Sequence, residues 1–90
     1  MSNKIRIDGL DGSGLGRFFE TVRSAGYRVT GQGATSNSHG RMVAGDGGTV
    51  HYEVVDTTVW LISKDANLTA TGEVDSIISY ANLVGGRAAY

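Results

Sequence analysis

An α+β two-layer sandwich is the fold this sequence predicts: an antiparallel sheet with two helices on one face, in the order β-α-β-β-β-α. Two observations predict it. Apolar and polar residues alternate in several short runs, the period of a strand with one wet face. In two other stretches the apolar residues recur at helical spacing and form a single stripe. Helices with one stripe and strands with one apolar face are satisfied together when both helices share one side of the sheet. The other side is then left open.

In KIRID, residues 4–8, Ile5 and Ile7 point one way and Lys4, Arg6 and Asp8 the other. Leu15, Phe18, Phe19 and Val22 follow at i, i+3, i+4 and i+7, a helix that Ser13 can cap and Gly26 can end. Residues 27–30 read as the next strand. The stretch GQGATSNSHG, residues 31–40, is too polar and glycine-rich to bury much apolar surface, so a mobile loop is expected there. Residues 41–44 and 50–55 flank GDGG, and Asp-Gly and Gly-Gly supply the positive φ that hairpin turns need. Asp56 and Thr57 turn the chain into residues 58–63, with Trp60 expected in the core beside Val59 and Leu61. Val74, Ile77, Ile78 and Ala81 repeat the helical stripe, with Glu73 and Asp75 in the first turn and Gly85-Gly86 as the stop.

Ninety residues suffice for one domain over 1–90 with a modest core, and are too few for separate nucleotide and substrate domains. Eight basic against nine acidic residues give a net charge of −1, so any charge-driven binding must be local. The absence of cysteine excludes disulfides and thiolate metal sites, as in a reducing cytosol. No apolar run approaches 18 residues, so a cytoplasmic protein with no membrane partner is expected. Two histidines without clustered carboxylates suggest no metal, and neither a Ser-His-Asp set nor paired carboxylates stand out.

GLDGSG, residues 9–14, sits between a strand and a helix and resembles the Walker A loop of thymidylate kinases. Where that motif places a lysine on the phosphates this chain has Leu15, and where it places a hydroxyl on Mg²⁺ it has Gly16. The residues that do the chemistry are missing, so no nucleotide and no cofactor is expected. Extended to residues 9–17, GLxGSGLGR resembles a segment of small phage anti-CRISPR inhibitors that block a type I-F surveillance complex. Those inhibitors are similar in size and also set a sheet against helices. The likeness implies a non-enzymatic binder that occludes a bacterial protein or nucleoprotein complex.

Phe18 to Val22, Ala25-Gly26-Tyr27, Ser38-His39, Asp46-Gly47 and Gly72-Glu73-Val74 fall in the order of the corresponding motifs of the HicA family. That family consists of small mRNA interferases with a double-stranded-RNA-binding-like fold. The resemblance implies an alternative in which the chain cleaves or binds RNA and His39 moves a proton at the ribose 2′-OH. Such a domain needs a basic face for phosphate, and Arg6, Arg28 and Arg41 are the candidates for it. The residues expected to contact a partner are Arg6, Arg28, His39, Arg41, His51, Tyr52 and Glu53, on the open sheet face and its flanking loop. Mixed charge beside an aromatic is the usual make-up of a protein-binding surface.

Overall fold

A computed structural model describes residues 4–31, 37–45, 47–62 and 72–89. The elements are β1 (Lys4–Asp8), α1 (Gly12–Ser24), β2 (Arg28–Val29), β3 (His39–Val43), β4 (Thr49–Val55), β5 (Thr58–Ile62), α2 (Gly72–Leu83) and β6 (Arg87–Ala89). All strands pair antiparallel in one sheet of order β2-β3-β4-β5-β1-β6. The α+β class therefore holds. Each of the four segments named between the helices forms a strand, one more than β-α-β-β-β-α allows, and β6 adds another after α2.

Period-two alternation sets which side of each strand is buried. Ile5 and Ile7 of β1, Val50, Tyr52 and Val54 of β4, and Val59 and Leu61 of β5 all lie at 3% exposure or less. They form one core with Leu15, Phe18, Phe19 and Val22 of α1 and Val74, Ile77, Ile78 and Ala81 of α2, which puts both helices on that face. The Phe19 ring lies 5.1 Å from Phe18 and 5.1 Å from Tyr52, tying α1 to β4.

Helix α1 is capped by Asp11 and not by Ser13: the Asp11 Oδ1 accepts the Gly14 N–H at 2.6 Å. Asp11 lies three residues before the amide it satisfies, the spacing an N-cap needs. At the far end, the Tyr27 N–H donates to Val22 O and the Gly26 N–H to Arg23 O, a Schellman stop. Helix α2 ends the same way, with the Gly86 N–H on Ala81 O and the Gly85 N–H on Asn82 O. Gly85 has φ 94°, a left-handed conformation open to glycine. It turns the chain back to lay β6 along β1, with Asp8 opposite Arg87 and Ile7 opposite Ala88.

The expected loop over 31–40 is shorter than the sequence suggests. His39 and Gly40 belong to β3, and pairing continues before them: the Asn37 N–H donates to Val54 O and the Val54 N–H to Ser38 O. Residues 32–36 of that loop, Asp46 of the hairpin turn and Ser63 lie outside the described residues. No helix among the described residues is long and apolar enough to cross a membrane.

Candidate functional site

Two places in the fold were singled out by sequence, the glycine turn before α1 and the open sheet face. In the first, the Asp11 carboxylate already accepts a helix-terminal amide, so a negative charge of the protein's own sits where a phosphate would bind. Leu15, in the lysine position of a phosphate loop, is 2% exposed and belongs to the core. This turn launches α1 and supplies its own cap.

The open face is built by the residues that alternate with the core. Directly opposed residues of an antiparallel pair share a face, so the strand registers arrange it in rows. One row runs His39, Glu53, Trp60, Arg6, Ala89. The next runs Arg41, His51, Ile62, Lys4. Beyond it, at the β2 edge, Arg28 lies opposite Val43, which in turn opposes Thr49. Asp8 and Arg87 face each other at the β6 edge. Arg6, Arg28, His39, Arg41, His51 and Glu53 thus share one surface, on which His39, Arg41 and Glu53 are exposed and His51 is half-buried.

Tyr52 does not join them. Its parity directs it into the core, where it is 1% exposed, and its hydroxyl donates to Thr30 O at 2.5 Å. It acts from behind the face. The Thr30 N–H donates to Arg41 O at 2.9 Å, and Thr30 Oγ1 accepts the Arg41 N–H at 3.0 Å. The two segments approach so closely here that a Cβ on Gly40 would collide with Thr30 O, and one on Gly31 with His39 O. Two glycines and a buried tyrosine therefore clamp the segment carrying His39 and Arg41. Over this clamp lies a shallow depression of about 460 Å³, lined by His39, Gly40, Arg41, His51, Tyr52, Glu53 and Ile62.

Two residues of the face, Trp60 and Arg87, escaped the sequence reading. Trp60 is on the open side, in register with Glu53 and Arg6, and is only partly buried. The alternation that sorts Ile5 from Arg6 would have found it, since Val59 and Leu61 both point to the core. The Arg6 guanidinium lies 6.0 Å from the Trp60 ring centre, at the limit of a cation–π contact. Its Nε also donates to Asp8 Oδ2 at 2.7 Å, an exposed pair that adds little stability. Arg87 is the other and carried no strand signal of its own, whereas Lys4 lies on the wet side of β1 as its alternation predicts and joins the face as a further cation. Among the described residues the face presents five basic side chains, Lys4, Arg6, Arg28, Arg41 and Arg87, against the acids Asp8 and Glu53. No three His, Asp or Glu side chains among them converge as a metal site.

No family model matches the chain, and neither curated proteins nor solved structures contain a significant match to it.

Proposed function

We propose that this protein is a non-enzymatic binder that docks the open face of its sheet onto a bacterial protein or nucleoprotein complex. In its most specific form it is a small phage-type inhibitor that acts in the host cytoplasm by occluding a defence complex. The observation that carries the binding role is the open face, where among the described residues basic side chains outnumber acidic ones on a chain whose net charge is −1. A surface of that kind steers and retains an acidic partner. The inhibitor form rests on the GLxGSGLGR likeness, whose residues fall on the β1–α1 turn and the start of α1, away from the open face. The test is capture of partners from bacterial lysate by the tagged protein and by its Arg28→Glu and Arg6→Glu forms, with and without nuclease. Selective capture that both reversals abolish supports the reading. Equal capture by all three forms removes the open face as the docking surface.

One observation favours a second reading. His39, Arg41, His51 and Glu53 share one depression, and two imidazoles beside a guanidinium are groups that can transfer protons and hold a phosphate during RNA cleavage. In this HicA-like alternative, expression arrests growth and His39→Ala abolishes the arrest. A wild type that is harmless when expressed removes it.

A further inference from the structure

We infer that the open face is a site for single-stranded nucleic acid, with a phosphate held between His39, Arg41 and His51 and a base stacked on Trp60. This rests on the docking reading and names the chemistry of the partner.

Three features of the face select that chemistry. The first is charge: among the described residues, five basic side chains against two acidic ones on the sheet face complement a phosphodiester backbone. The second is the kind of apolar surface on offer. The apolar residues that the face carries among the described residues, Val43, Val55, Ile62 and Trp60, are interspersed with its charged groups, so the flat apolar surface it offers is the Trp60 ring. Its aromatic ring among the described residues is Trp60, partly buried in a row between Glu53 and Arg6. A single ring among cations suits a base, whose π-face stacks whatever its sequence. The third is the depression itself. Arg41 and His51 are directly opposed, His39 lies two residues from Arg41 and opposite Glu53, and Ile62 continues the row, so one guanidinium and two imidazoles share the depression with a single carboxylate. Arginine brings a fork of N–H donors to phosphate oxygens, and each imidazole has at least one N–H in either charge state. Trp60 lies one strand away, two residues from Ile62 along β5. Neighbouring strands are about 4.8 Å apart and residues two apart span about 6.7 Å, the scale of one nucleotide step. The clamp of Gly31, Gly40 and Tyr52 holds this half of the site in place before any ligand arrives.

Trp60 is the chain's single tryptophan, so its fluorescence reports on the site directly. The wild type is titrated with an oligouridylate of about ten nucleotides, within the site size of a small binding face. A hairpin RNA duplex and a polyglutamate peptide are the comparison ligands. The expected result is quenching of Trp60 by the oligouridylate, with log K falling against log salt at a slope of about −2 for three phosphates contacted. Arg41→Gln should flatten that slope by about 0.7. Trp60→Leu should weaken binding about tenfold at an unchanged slope. Should Trp60→Leu fail to fold, quenching in the wild type and the Arg41→Gln slope still decide. An oligouridylate affinity weaker than about 100 µM at low salt overturns the inference. So does binding without quenching, or tighter binding to the duplex or to polyglutamate. If the oligonucleotide fails while nuclease-resistant capture from lysate persists and is lost on Arg28→Glu, the docking reading stands and only the nucleic-acid assignment falls. If neither responds to charge reversal, both fall.

Discussion

On the side of the sheet beneath the helices, Ile7, Val54, Val59 and Leu61 are fully enclosed, while their neighbours along the same strands, Arg6, Glu53, Trp60 and Ile62, meet solvent to differing degrees. The covered side is uniform in chemistry and filled by α1 and α2. Among the described residues the uncovered side mixes five basic groups, two imidazoles, two acids and an indole with the aliphatic Val43, Val55 and Ile62. The helical layer differs from it in sign as well, carrying Asp11, Glu20, Glu73 and Asp75 against Arg17 and Arg23. A net charge of −1 thus conceals a two-sided molecule. Total charge is a sum over the chain, whereas a partner meets one face.

The contrast between the faces is broken most severely from the covered side. Phe19→Ala removes a ring packed on Phe18 and Tyr52 and should cost about 3–5 kcal/mol. In a domain of this size that lowers Tm by roughly 12 °C or more, measurable by circular dichroism. Gly40→Ala comes next, because its methyl would meet Thr30 O. A loss of about 2 kcal/mol is expected from the strain, together with weaker partner binding as His39 and Arg41 shift. A Gly40→Ala protein that melts like wild type would show that the clamp yields cheaply.

Tyr52→Phe sharpens the comparison, since it changes one buried oxygen and leaves the ring in place. Loss of the bond to Thr30 O should reduce stability by about 1 kcal/mol in urea unfolding. Arg28→Glu works from the uncovered side and inverts the pattern. An exposed substitution should shift stability by no more than about 0.5 kcal/mol, while reversing the charge of a cation at the β2 edge of the interface should weaken partner binding about tenfold. Equal affinity of wild type and Arg28→Glu, by any direct binding measurement, would exclude that end of the face. The smallest effect is expected at the glycine turn. Calorimetry with MgATP should register no binding, because Asp11 already occupies the helix terminus; a micromolar Kd would overturn that account.

The short-range features were legible because short-range rules make them. The stripes of α1 and α2, the alternation of β1 and the glycine stops follow from spacings within a dozen residues. Asp11 and Ser13 are both capping types, and the backbone path decides that Asp11 is the side chain that meets an orphan amide. Trp60 was within reach of the period-two rule and was passed over in favour of its hydrophobicity. Tyr52 erred in the opposite direction, since an aromatic with a hydroxyl is at home on a surface or, with a partner such as Thr30 O, in a core.

The sequence by itself determined that this chain makes an α+β sheet with one apolar and one polar side, because side-chain parity in a strand and stripe spacing in a helix are properties of the local backbone. Tertiary structure alone decided that β6 exists, since three residues with no alternation become a strand when Gly85 returns them to the edge of β1. It also decided which cations gather. Lys4, Arg28, Arg41 and Arg87 are scattered over more than eighty residues of chain, and strand order and register, set by long-range pairing, bring them onto one face.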